Sequence, residues 1–124
     1  GQIEGGFVQG QGWLTMEEVV WDKSGKLRTY SPSTYKIPAV TDTPDEFNVE
    51  IFKRGFNVEK VVNKQKTTGE PPLMLAMSVF FAIKDAIASI SNYKKTPELD
   101  APATPEKILM SINKLKRKIK SNGK

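Results

Sequence analysis

The chain has 124 residues, a net charge of +5, no cysteine and no histidine. Its length is sufficient for one domain with a modest hydrophobic core. Without these two residue types it cannot form a disulfide, a cysteine-held iron–sulfur or zinc site, or a Ser-His-Asp or Cys-His catalytic device. Carboxylates, lysines and tyrosines remain for any proton transfer.

The positive charge is concentrated at the C-terminal end. Residues 104–124 contain seven positive side chains and one acid, whereas the other 103 residues carry 12 positive and 13 negative charges. A basic helix end in water explains this pattern better than a nucleic-acid site, so we expect no nucleic-acid partner. The sequence starts at Gly1 without a methionine or a targeting leader, so we expect a piece of a longer, cytoplasmic protein.

The first predicted element is a glycine-rich helix over residues 2–18, where Ile3 and Phe7 begin a helical spacing of apolar residues. Glycines weaken a helix, so contacts with a neighbour must hold it. Gly6 and Gly10, one turn apart, allow another backbone or a flat ligand to approach closely. Close packing is the favoured interpretation, and the alternative is a cofactor-facing surface to which Gln2 and Gln9 contribute amides.

The next segments indicate β-structure. Apolar β-formers flank the glycine-containing turn at residues 22–26, which predicts a hairpin in which Trp21 and Tyr30 serve as packing residues. Three prolines make residues 31–46 an ordered extended connection. Residues 47–51 alternate as in a half-exposed strand, and residues 61–62 predict a second short strand.

Two helices are predicted in the second half of the chain. Residues 71–83 carry no charge, so we expect a helix over about residues 72–91 whose first half is buried on every side. The run is shorter than the roughly 20 residues of a membrane span, so we expect no membrane contact. After a linker over residues 94–103, Thr104 and Pro105 form a helix start and predict a helix over about residues 105–119.

Glu70 is the one acid with an unusual setting, directly before the uncharged run. Prolines at 71 and 72 suit the first positions of a helix, which places Glu70 at or just before its start. Burial would raise its pKa while the N–H groups of the helix start would lower it, and a carboxylate between these effects can act as a base. Gly69 lets a bound group approach closely. A merely capping glutamate is the alternative, and the local pattern alone favours it.

Several segments together resemble, in order and spacing, the C-terminal part of the molybdenum-binding region in the xanthine dehydrogenase and aldehyde oxidase family. The matching stretches are residues 1–10, 32–38, 69–73, 78–86 and 101–106. The resemblance extends to about Leu115. It implies an α+β fold, the C-terminal portion of a molybdopterin-binding domain over residues 1–119, and a basic tail at 120–124.

The resemblance also implies a function. Glu70 corresponds to the general base of an oxidative hydroxylation that converts hypoxanthine and xanthine to urate with water as the oxygen source. Gln2 and Gly69 are the expected contacts of a molybdenum-molybdopterin cofactor, and no residue is expected to ligate the metal directly.

The implied partners lie outside this chain. They are the rest of the molybdenum-binding region, a portion or subunit carrying [2Fe-2S] clusters and FAD, NAD as electron acceptor, and a purine substrate, in an oligomeric enzyme. We therefore expect the chain alone to be inactive and to fold poorly.

Two alternatives remain open from the sequence. One keeps the fold and changes the substrate, as in an aldehyde oxidase or another N-heterocycle hydroxylase. The other is a non-catalytic scaffold or a binding module that uses the basic tail. Salt-dependent DNA binding that disappears on removal of residues 114–124 would favour the module.

Overall fold

The computed structural model describes residues 1–53, 55, 57–64 and 70–121. These residues form helices α1 (Gln2–Thr15), α2 (Glu70–Leu75), α3 (Met77–Ser89) and α4 (Pro105–Ser121), with short 3-10 turns at Val40–Asp42 and Val62–Lys64. The helices predicted over residues 2–18 and 105–119 are confirmed. Thr104 caps α4, since its side-chain oxygen accepts a hydrogen bond from the backbone N–H of Lys107 at 3.4 Å.

The single helix predicted over residues 72–91 is divided at Ala76 into α2 and α3. Ala76 is fully buried. Its N–H donates to the Leu73 carbonyl at 3.2 Å and its carbonyl accepts from the Val79 N–H at 3.0 Å, so a tight turn joins the two helices. Nothing in the local sequence interrupts the helix here, because alanine is the best helix former.

The α+β prediction is not confirmed, since the described ranges of the chain contain no β-strand. The predicted hairpin is reduced to one antiparallel bridge between Trp21 and Leu27. Asp22 holds the turn, because its carboxylate accepts the backbone N–H groups of Ser24 and Lys26 at 2.9 Å each. A two-stranded hairpin needs a covered apolar face to be stable, and Trp21 is 61% exposed.

The two other predicted strands are also absent. Residues 47–51 are irregular, and Val62 lies in a 3-10 turn. A strand needs a neighbour that takes up its backbone hydrogen bonds, and no strand in the described part of the chain offers one.

The hydrophobic core lies between α3, α4 and the segment that connects them. Its buried members are Ile87, Leu99, Ala103 and Leu115. Four partly buried residues pack against it, namely Phe80, Ile83, Ile108 and Ile112. Residues 94–103 connect the two helices, as predicted, and this connection also supplies two core side chains, Leu99 and Ala103.

Ion pairs fasten the connecting segment to α4. The Glu98 carboxylate pairs with the ammonium groups of both Lys114 and Lys118. These two hydrogen bonds lower the pKa of Glu98 to about 2. Lys95 adds a hydrogen bond from its ammonium group to the Lys118 carbonyl. Part of the positive charge of α4 is therefore paired within the chain.

The prediction that the apolar helix is buried on every side is wrong. Leu75 is 64% exposed and Phe81 is 59% exposed, because α1 covers only one side of α2 and α4 covers only one side of α3. The stretch Glu70–Ser89 has a mean hydropathy of 1.5 over its most apolar window, which is 17% buried, and passes a length-and-composition test for a membrane span. Core helices of soluble proteins can have the same length and composition.

Candidate active site

The first feature of the site is the close contact between α1 and α2. Gly10 is buried, and a Cβ atom built on it would touch the Leu73 carbonyl oxygen and lie 2.8 Å from the Ala76 Cβ. No residue other than glycine fits this contact without displacement. The interpretation that a glycine allows α1 to pack closely against another backbone is thus confirmed at Gly10.

A second glycine of α1 contacts a different element. A Cβ on Gly12 would lie 2.6 Å from the Cδ and Cγ atoms of Pro38 and 2.7 Å from the Glu17 carboxylate oxygen. The predicted connection over residues 31–46 thus packs against α1. Burial raises the pKa of the Glu17 carboxyl group beside this contact.

Gln11, between these glycines, is a buried residue that the sequence prediction missed. Its amide nitrogen donates to the Asp42 carbonyl at 2.6 Å, while its amide oxygen is buried and has no partner in the described part of the chain. The Asp42 carboxylate accepts hydrogen bonds from the Lys36 ammonium at 2.6 Å and the Ala39 N–H at 2.8 Å. The Lys36 hydrogen bond lowers the pKa of Asp42. The sequence does not distinguish Gln11 from the glutamines at positions 2 and 9. Only its hydrogen bond to the Asp42 carbonyl in the folded chain does so.

Glu70 is the first residue of α2, as its position before two prolines predicts. Its side chain is exposed. No residue within the described ranges forms an ion pair or a hydrogen bond with its carboxylate. The described residues therefore do not supply the burial expected around Glu70.

The predicted cofactor contacts lie at the start of α1. Gln2 is its first residue, with an exposed amide, and Gln9 is exposed two turns further on. Gly69, the third predicted site residue, lies outside the described residues. The structure thus brings together the two helices that carry Gln2 and Glu70, although no hydrogen bond joins these two side chains.

The residues present fit a polar cofactor that brings its own metal ligands. The available groups are a neutral amide and a carboxylate, each exposed in the first turn of a helix, where backbone N–H groups lack helical partners. The described residues contain no group of three or more His, Cys, Asp or Glu side chains that could hold a metal ion. A metal would have to be held by ligands other than these side chains.

Comparison with known families agrees with this chemistry. Residues 1–44 match the family model of the molybdopterin cofactor-binding domain. This match covers α1, with Gln2, and the connection that packs against Gly12. This part of the chain is therefore similar to a molybdopterin cofactor-binding domain.

Individual relatives narrow the family further. The chain is 51% identical over 114 residues to the xanthine dehydrogenase/oxidase of Mus musculus. The alignment covers 87% of this chain and 8% of the relative. It is 48% identical over 114 residues to the xanthine dehydrogenase of Dictyostelium discoideum, covering 90% of this chain and 8% of the relative. It is 45% identical over 121 residues to xanthine dehydrogenase 1 of Arabidopsis thaliana, covering 90% of this chain and 9% of the relative.

These similarities confirm the resemblance noted in the sequence, and the chain belongs to the xanthine dehydrogenase family. It spans only 8–9% of the length of these relatives. Most of a xanthine dehydrogenase therefore has no counterpart in this chain.

Proposed function

We propose that this chain supplies the general base and a cofactor contact to a xanthine dehydrogenase-type molybdenum hydroxylase. The observation that carries the proposal is the identity of 45–51% to xanthine dehydrogenases over 87–90% of the chain. In the proposed reaction, hypoxanthine and xanthine are hydroxylated to urate with water as the oxygen source.

Glu70 is the proposed proton acceptor. When bound, the molybdenum cofactor supplies the two-electron oxidation of the purine carbon. A carboxylate oxygen of Glu70 takes the proton from the water-derived hydroxyl group that attacks this carbon. The role requires a carboxylate that forms no ion pair or hydrogen bond with another side chain. Glu70 is exposed, and no residue in the described part of the chain pairs with it.

Gln2 is the proposed cofactor contact. A glutamine amide both donates and accepts hydrogen bonds, so it can orient a large polar cofactor without adding charge. Because Gln2 is exposed at the first position of α1, both the donor and the acceptor group of its amide are accessible. Gly69, which directly precedes Glu70 in the sequence, is the second proposed cofactor contact.

The exposed apolar side of α2 and α3 is the proposed contact with the rest of the enzyme. Met74, Leu75 and Phe81 are each more than half exposed, and apolar patches of this kind mark interfaces. The relatives are more than ten times longer than this chain, so they contain ample structure to cover the patch. We also propose that the full enzyme carries iron–sulfur clusters, FAD and an NAD site, and that it is cytoplasmic.

The test uses the full-length parent enzyme that contains this chain. We expect it to contain molybdenum and to reduce NAD when hypoxanthine or xanthine is added. A panel of aldehydes and other N-heterocycles, measured on the same preparation, separates the proposal from an aldehyde oxidase. An enzyme purified without molybdenum, or one that oxidises aldehydes and not purines, would contradict the proposed function.

A further inference from the structure

We propose that Gly10 is a positioning residue of this site. Its missing side chain sets the separation between α1 and α2, and so the placement of Gln2 relative to Glu70. This inference rests on the proposed function, because it assigns Gly10 a role through these two residues. Gly10 itself does not touch the reacting groups.

The contact at Gly10 is one that cannot relax locally. A Cβ atom there would touch the carbonyl oxygen of Leu73 and lie 3.1 Å from its carbonyl carbon and 2.8 Å from the Ala76 Cβ. Two of these three atoms are backbone, and the third belongs to a fully buried alanine without a rotatable side chain. The Leu73 carbonyl also accepts the Ala76 N–H at 3.2 Å. A side chain at position 10 must therefore displace α2 as a whole.

The displacement would act directly on the proposed catalytic residues. Glu70 precedes Leu73 by one turn, about 4.5 Å along α2, and Gln2 precedes Gly10 by about 12 Å along α1. Both residues belong to the helices that cross at Gly10, so a change at their crossing moves Glu70 relative to Gln2. A misplacement of about 1 Å in a catalytic arrangement can lower the rate about 100-fold.

Helix α1 itself offers two matched control positions. No atom of the described residues lies within 4 Å of the position that a Gly5 Cβ would occupy, so Gly5→Ala adds a methyl group to the same helix without a clash in this part of the chain. Gly12 is buried like Gly10, but its Cβ would meet Pro38 and Glu17 rather than α2. Gly12→Ala therefore damages packing around α1 without pushing against the helix that carries Glu70.

The experiment measures kcat per bound molybdenum, KM for xanthine and molybdenum content in the parent enzyme. For Gly10→Ala we expect kcat per molybdenum to fall about 10–100-fold with KM changed less than about twofold, because the geometry of the reaction is altered. Gly5→Ala should match the wild type. Gly12→Ala, whose clash involves Pro38 and Glu17 rather than the helix that carries Glu70, should lower turnover per molybdenum less than Gly10→Ala does.

A second variant addresses a possible folding failure. Gly10→Ala combined with Ala76→Gly removes the Cβ contact and leaves the carbonyl contact. The turnover per molybdenum of this double variant should lie between those of Gly10→Ala and the wild type. If Gly10→Ala does not fold, the double variant should still turn over more slowly than the wild type.

The inference is overturned if the Gly10 variants keep wild-type turnover per molybdenum, or if Gly12→Ala loses as much. Such results in an active wild-type background would refute the role of Gly10 alone. A wild-type enzyme without molybdenum or xanthine turnover would refute the proposed function, and this inference with it.

Discussion

The two halves of the chain differ in how completely they bury their own apolar residues. The half built from α3, α4 and their connection encloses Ile87 and Leu115, which are 3% and 2% exposed. The half built from α1 and α2 buries Ala76 but leaves Trp13 and Leu75 53% and 64% exposed. The half that carries Gln2 and Glu70 thus encloses less of its own apolar surface, although Phe81 of α3 and Met110 of α4, 59% and 63% exposed, show that the other half also presents apolar side chains.

Polar groups show the same contrast. The carboxylate of Glu98, in the α3–α4 half, pairs with two lysines of the same chain. In the other half the Glu70 carboxylate has no partner within the described residues, and the buried amide oxygen of Gln11 has none either. The contrast concerns these two carboxylates alone, because the α3–α4 half also contains a buried polar atom without a partner among the described residues, the Ser111 hydroxyl oxygen.

The largest expected effect on stability comes from the enclosed core. Leu115→Ala removes a buried side chain between α3 and α4, and such a change costs about 2–5 kcal/mol. Amide hydrogen exchange in the parent enzyme measures this loss as faster exchange throughout α3 and α4. Unchanged protection in both helices would show that the α3–α4 half is not a cooperative unit.

The matched change in the other half is Leu75→Ala. Because Leu75 is 64% exposed, we expect a change of no more than about 0.5 kcal/mol in the isolated chain. In the parent enzyme the same substitution should cost more, since the rest of the protein is proposed to cover this side chain. An equally small effect in both settings would contradict that interface.

The smallest expected effect is that of Glu98→Gln. The folded-state pKa of Glu98, about 2, lies below its ordinary value of 4.5. The pairing therefore stabilises the fold above about pH 4.5, and this contribution disappears as the pH falls towards 2. We expect Glu98→Gln to lower the Tm of the chain slightly at pH 7 and by less at pH 3.

The neighbouring exposed acid provides the control for this measurement. Asp100→Asn removes the same charge from a residue that forms no ion pair in the described part of the chain, so its effect should not depend on pH in this way. A constant difference between Glu98→Gln and the wild type across this pH range would disprove the role of the pairing.

Helix positions could be predicted from the sequence where local signals decide them. Thr104 and Pro105 mark the start of α4 by capping chemistry alone, and the prolines after Glu70 mark the start of α2. The break at Ala76 could not be predicted, because alanine favours a helix and the turn lies where α1 contacts this segment. Leu99 also escaped prediction, since a lone leucine between prolines has no periodicity that indicates burial.

The sequence singles out the candidate site residues, whose roles stay predictions, but it does not indicate their surroundings. Glu70 stood out because a lone acid precedes a long uncharged run. The uncharged run after Glu70 is half exposed, and we propose that other parts of the enzyme cover it. The sequence of this chain contains no information about those parts. Residues 47–51 fail as a strand because the described chain offers no neighbouring strand.

The most direct test of the proposed role is Glu70→Gln in the parent enzyme, with molybdenum content and xanthine-dependent NAD reduction measured on the same preparation. Glutamine keeps the size of the side chain and removes its ability to accept the proton. We expect unchanged metal content and a rate lower by about 10²–10⁴-fold. Turnover that survives the substitution in a molybdenum-loaded enzyme would show that Glu70 is not the base.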